Sequence, residues 1–371
     1  MELLLDFIII AGITITLMLL FRSLKKKGKA MHHKILIVFF FVIFLVFLHA
    51  YSGLHQLTDI FKGTFLFQFS ILWILGPLLI HYLDALFRHA RPWPQRIVWL
   101  YIPVLAVVLF VGVPLTIEVY AERRIFAYLD LIDNNQVGFA IIRDVVFLIF
   151  LLTGSYYFNQ YQRAIKATYS SLLNTDITWI RYLIGLCIAF TSIDLASLFL
   201  EIFSSEGAFY GAYFSVVSLF LVTLFLGYTG VEQPKIIVAD FLLEDINSIR
   251  QPQQIEITKG DKELIGALDS MMIKDKLFLA EELTLGELAD NLGITDKELS
   301  ALLNQKKQIS FYDYVNGFRV DEFKKRVKEE QYKHLTLLGI AFDCGFNSKA
   351  SFNRIFKRHT GQSPSEFRKS S

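Results

Sequence analysis

Seven apolar runs occupy the first 230 residues, at approximately Leu3–Phe21, Ile35–Gly53, Thr64–Phe87, Ile97–Ile117, Gly138–Phe158, Ile180–Phe203 and Tyr210–Gly230. A helix needs about 20 residues to cross roughly 30 Å of hydrocarbon, and buried helices of soluble domains rarely sustain that length without charges. Backbone polar groups in lipid must be satisfied within their own segment, so runs of this kind are read as helices. The predicted class is all-α: an N-terminal seven-helix transmembrane bundle over 1–230, a linker over 231–261 and a helical domain over 262–371.

Charge placement sets an expected topology. Glu2 and Asp6 precede the first run, while Arg22, Lys25, Lys26, Lys27 and Lys29 follow it, the reverse of a cleaved signal peptide. Basic loops remain in the cytoplasm, so the N-terminus is expected outside and the first loop inside. Arg88, Arg91, Arg96, Arg163 and Lys166 then also fall inside. The outer loops hold Lys62, and Arg123 with Arg124 diluted by Glu118, Glu122, Asp130 and Asp133. An odd number of crossings from an outside start delivers the residues after 230 to the cytoplasm. The predicted location is the inner membrane, multi-pass, with the lipid bilayer as one partner.

The chain has two cysteines, Cys187 and Cys344, in segments this topology separates, so no disulfide framework follows. Neither has cysteine or histidine neighbours at metal-ligand spacing, and no phosphate loop or nucleophile–base pair appears. No metal, no cofactor and no enzymatic activity are expected.

Beyond Asp261 the helix starts are explicit. Thr284 with Glu287, Thr295 with Glu298, Ser310 with Asp313 and Ser363 with Glu366 each pair an oxygen-bearing cap with an acid three residues on. Ala289 with Gly293, and again Ala341 with Gly345, supply the small residue and the turn glycine of a helix–turn–helix. Ile294, Leu299, Leu302 and Leu303 face inward after the first turn, and Phe346, Phe352, Ile355 and Phe356 after the second. Between them Phe311–Gln331 reads as one long helix, with Tyr314, Phe318, Phe323 and Val327 apolar and Arg319, Lys324, Lys325, Arg326 and Lys328 on its polar side.

These residues resemble the AraC/XylS-type transcription regulators over about 283–368. The resemblance is strongest in IAFDCGFNSKASFNRIFKRHTGQSPSEFR, which carries the glycine–phenylalanine turn, the recognition-helix phenylalanines, Gly361, Pro364 and Phe367. It implies a double helix–turn–helix domain that binds double-stranded DNA, and a homodimer. The fusion to seven spans resembles the membrane-anchored variants of that family.

The second recognition helix places Asn347, Ser348, Lys349, Asn353, Arg354, Lys357 and Arg358 on its exposed side, amides suited to adenine edges and cations suited to guanine or phosphate. Asn347, Lys349, Asn353 and Arg354 are expected toward bases, and Ser348, Lys357, Arg358 and Lys369 toward backbone. The first recognition helix offers Lys297, Ser300 and Asn304, with Gln305 beside them and Lys306 and Lys307 toward phosphate. It has Ala301 where the second has Arg354, so the second unit is expected to carry more of the salt-dependent affinity.

Ionisable groups inside spans are costly and point to function. His49 and His55 lie near the outer end of the second span, Arg143 and Asp144 near that of the fifth, and Asp194 and Glu201 in the outer half of the sixth. They can converge on one outward-facing pocket for a small-molecule or protein signal. On the competing reading, His49, His55 and Glu201 sit among headgroups and Arg143 pairs with Asp144 or Asp194 to stabilise the bundle. The function expected is a membrane-integral, sequence-specific regulator of transcription. The alternative is a receptor or transporter whose helical tail binds a protein partner.

Overall fold

The computed structural model describes residues 2–26, 30–87, 99–122, 135–171, 177–201, 205–231 and 259–370. The basic residues Lys27, Lys29, Arg88, Arg91, Arg96, Arg123 and Arg124, most of the linker and the Glu201 side chain lie outside that description. The chain divides into two units: Met1–Phe158 with Ile177–Ile237, and Asn159–Asp176 with Val238–Ser371.

In the first unit the apolar runs fall on helices α1 (Glu2–Lys25), α2 (Met31–Leu54), α3 (Thr58–Phe87), α4 (Ile102–Ala121), α5 (Gln136–Thr168, whose last turns belong to the second unit), α6 (Thr178–Glu201) and α7 (Ser205–Gly230). Among the described residues five are long and apolar enough to cross a membrane: α1, α2, α4, α5 and α6. Among the described residues α3 and α7 contribute the apolar stretches Trp73–Phe87 and Phe214–Gly230. Helix α4 contains a π-turn at Val108–Gly112, which ends two residues before Pro114, whose missing N–H would interrupt an α-helical ladder there.

Close approach between helices depends on small residues at the contact. A Cβ on Gly76 of α3 would lie 2.5 Å from the Phe150 ring of α5, and one on Gly227 of α7 would lie 2.4 Å from Leu19 of α1. Helix α2 packs on both α1 and α3, and α7 packs on α6 and α1.

The second unit is built on α8 (Lys259–Asp275), α9 (Leu285–Leu292), α10 (Asp296–Ala301, continued by a π-turn Leu302–Lys306), α11 (Phe311–Lys328), α12 (Leu337–Asp343), α13 (Lys349–Thr360) and α14 (Pro364–Ser370). All four predicted caps form. Thr284 with Glu287, and Thr295 with Glu298, make reciprocal capping boxes. Ser363 and Glu366 exchange the same two bonds, at 3.3 and 2.7 Å. Ser310 Oγ accepts from the Asp313 N–H at 3.1 Å and donates its hydroxyl hydrogen bond to the Asp313 carboxylate at 2.9 Å. Such caps are each worth about 1 kcal/mol.

Two cores result. Leu268, Leu288, Leu299, Leu303 and Phe311 fill the first; Phe323, Ile340, Phe346, Phe352 and Phe356 fill the second. Helix α11 supplies Tyr314 and Val315 to one and Tyr312 and Val320 to the other, so it is the shared wall of both. The amphipathic helix α8, which the sequence reading did not separate from its surroundings, contributes Leu268 and Met272 to the first core.

Arg319 departs from its expected place on the polar side of this helix. It is 1% exposed, and its guanidinium donates to the carbonyls of Phe278 (2.7 Å), Ala280 (2.7 Å) and Ser170 (3.1 Å) and to Ser170 Oγ (3.1 Å). Ser170 also donates its backbone N–H and hydroxyl to the Leu283 carbonyl, at 3.2 and 2.7 Å, and Tyr169 bridges to Thr284. Asn159–Asp176 therefore clusters with the C-terminal residues, and the second unit is not confined to residues 262–371.

Candidate nucleic-acid interface

Helix α13 has two contrasting sides. Phe352, Ile355 and Phe356 are buried, at spacings of three and one, and Phe356 packs edge-on against Phe323 of α11 and Phe367 of α14. Lys349, Asn353 and Lys357 recur every four residues on the opposite side with Arg354 and Arg358 beside them, and all five are exposed. The Gly345 turn sets this presentation: its φ is +87°, and a Cβ there would meet the Phe278 carbonyl at 2.6 Å.

The start of α11 orients the two arginines. Arg354 donates to Tyr312 Oη at 2.9 Å, and Arg358 pairs with Asp313 while its guanidinium lies 5.9 Å from the Tyr312 ring centre. Ser348, expected toward the DNA backbone, is the N-cap of α13 and accepts the Ser351 N–H at 3.1 Å. Asn347 is half-buried, and its amide donates to the Ser171 hydroxyl.

The first helix–turn–helix presents less. Lys297 is exposed on α10. Ser300 is only 7% exposed and accepts from Asn304 Nδ2 at 3.2 Å, so its hydroxyl is covered and not presented outward. Lys306 and Lys307, expected toward phosphate, are bonded to Asp261 (3.0 Å) and Asp269 (2.7 Å), which α8 brings beside them. The cationic bias toward the second helix–turn–helix is thus larger in the fold than in the sequence.

In the first unit, Arg143, Asp144 and Asp194 come together. Arg143 Nε donates to Asp144 at 2.7 Å, a second guanidinium nitrogen reaches Asp194 at 3.5 Å, and Ser215 donates to Asp194 at 2.8 Å. All four line a cavity of about 440 Å³. His49 and His55 do not. His49 bonds Thr64 Oγ1 at 2.9 Å and stacks on Phe61, while His55 pairs with Asp6 at 2.8 Å.

A family model described as a helix-turn-helix domain matches residues 288–370. The probable transcription factor PqrA of Proteus vulgaris is 32% identical over 88 residues, covering 24% of this chain and 70% of that protein. The chain belongs to the helix-turn-helix transcriptional regulators. Uncharacterised regulators of the same type from Staphylococcus aureus strains COL and MSSA476 are 32% identical over 93 residues, 25% of this regulator. The chain spans only 12% of the length of those relatives. No solved structure matches the regulator.

Two features of the regulator escaped sequence reasoning. The caps Thr336 and Ser348 lack an acid three residues on, so the capping-box pattern passes over them. The Ser170–Arg319 contact joins residues 149 positions apart, beyond the reach of any local pattern.

Proposed function

We propose that this regulator is a membrane-integral, sequence-specific DNA-binding protein of the AraC/XylS type, with seven spans, an outside N-terminus and its C-terminal domain in the cytoplasm. The exposed amide-and-cation side of α13, seated on a buried phenylalanine side, is the observation that carries DNA binding. Five helices of spanning length support membrane integration. On this reading Asn347, Lys349, Asn353 and Arg354 approach base edges and Lys357 and Arg358 approach phosphates. A pair of copies binds two half-sites.

Full-length protein in lipid nanodiscs, titrated with genomic fragments, tests this. Log affinity should fall linearly with log salt, and Lys357→Ala should reduce the slope by about 1. A salt-independent interaction with protein partners alone would overturn it. Reporter fusions at residues 59, 128 and 240 check the topology, and a carboxy end on the outside refutes it.

Signal coupling is part of the same proposal. Helix α5 carries Arg143 and Asp144 and leads in sequence to Tyr169–Ser171, which bond Thr284, Arg319 and Asn347. While Ser171 holds Asn347, that amide is withheld from a base edge; release of residues 169–171 frees it. This is a population shift and requires a ligand that favours one state. Ser171→Ala should raise DNA affinity without added ligand, and an unchanged or lower affinity would remove this route.

A further inference from the structure

The cavity in the first unit has mostly aliphatic and aromatic walls, among them Leu36, Leu79, Phe147, Leu151 and Leu219, and one charged end. At that end two carboxyl groups, Asp144 and Asp194, share a single guanidinium, Arg143. Asp194 has both oxygens occupied, by Arg143 and Ser215. Asp144 does not. Its Oδ1 accepts from the Arg143 Nε–H, while its Oδ2 is buried with no hydrogen-bond partner among the described residues, in a residue only 6% exposed. Ser218 Oγ and Tyr82 Oη, also in the cavity wall and more than nine-tenths buried, are likewise unpartnered among the described residues.

A buried carboxylate oxygen without a donor is expensive, and a binding partner that supplies one recovers that cost. The charge balance selects the partner. One guanidinium already divided between two carboxylates has little left for an anion, which would also meet their repulsion. With both carboxyls ionised the three side chains carry one net negative charge, and a cationic donor meets that charge and the open Oδ2 together. The apolar walls require the rest of the molecule to be hydrocarbon, and the volume lies within the usual range for a small-molecule site, about 300–1,000 Å³.

We infer that this cavity binds an apolar molecule bearing one ammonium group, with the ammonium on Asp144 and the hydrocarbon body between α2, α3, α5, α6 and α7. The inference rests on the signal-sensing reading and names the chemical class of the signal.

Full-length protein in nanodiscs is titrated with phenylbutylamine, phenylbutanol and phenylbutyrate, three probes of one shape with cationic, neutral and anionic heads. Thermal stabilisation of the first unit, followed by its tryptophans, gives each affinity. The amine should bind at least tenfold more tightly than the other two, and Asp144→Asn should abolish the preference. Equal binding of the three, a preference for the acid, or the same protection from sodium chloride alone overturns the inference. The wild-type preference needs no variant; should Asp144→Asn fail to fold, Leu219→Trp, which fills the cavity from its apolar wall, should abolish amine binding instead. DNA occupancy measured in the same samples separates the two claims. Amine binding with unchanged occupancy upholds the ligand class and removes the coupling, whereas unchanged DNA binding with no amine preference removes the ligand class alone.

Discussion

Replacing Arg319 by methionine keeps most of the side-chain volume and removes every donor from a site where six oxygens converge on the guanidinium: those of Phe278, Ala280, Glu281 and Ser170 (carbonyl and hydroxyl), and Asn316 Oδ1. Four of the bonds are 3.1 Å or shorter, and none goes to a carboxylate. A buried acceptor left without a donor costs about 1–3 kcal/mol. Some of that is offset, because Ser170 O keeps its bond from Asn316 and because the guanidinium itself is desolvated, which pushes its pKa down to about 10. The expected net loss is about 3–4 kcal/mol, near the cost of breaking a buried charged network. At 1.4 kcal/mol per decade this is a fall of about 10²-fold or more in the hydrogen-exchange protection of amides that open only with the whole unit. Exchange followed by mass spectrometry on the full-length protein reads it in peptides covering α9, α11 and α13. Arg319→Lys, with three donors in place of five, should fall between. A loss below about fivefold for methionine would show that the cradle of carbonyls does not hold the unit together, and the reasoning would fail.

Gly345→Ala combines a positive φ of 87° with a Cβ 2.6 Å from a backbone oxygen, and should destabilise by about 2–3 kcal/mol, whereas Gly293→Ala, at φ +69° with nothing near the new Cβ, should cost about 1 kcal/mol; equal losses in the same exchange assay refute the distinction. Arg354→Ala should weaken operator binding by about tenfold and Lys297→Ala by threefold or less, measured by anisotropy at fixed salt, with equal losses contradicting the asymmetry between the two helix–turn–helix units. The Glu298 carboxyl is held below its usual 4.5 by the Thr295 N–H and hydroxyl, so the stability it contributes is present above that pH and lost as pH falls through the lowered value. Glu298→Gln should therefore flatten the acid limb of the unfolding profile below about pH 4.5, and an unchanged profile would show that the cap does not couple to folding.

Local chemistry made much of the second unit legible in sequence. A cap and its acid lie one helical turn apart, a turn glycine announces the positive φ it adopts at least steric cost, and phenylalanines at helical spacing declare which side of α13 is buried. The same periodicity placed Lys349, Asn353, Arg354, Lys357 and Arg358 outward. It placed Ser300 outward as well, yet the fold buries that hydroxyl under Asn304.

Length and apolarity of the first seven runs were enough to read them as helices, because a sustained apolar run satisfies its own backbone only in that form. Tertiary structure alone decided which polar residues meet. Arg143, Asp144 and Asp194 share a cavity while His49 and His55 find other partners, and Arg319 leaves the polar side of α11 to bind carbonyls supplied from 149 and about 40 residues away. A guanidinium and a carbonyl carry no periodic signature of each other. Their pairing exists only once packing has excluded water and left them no other partner.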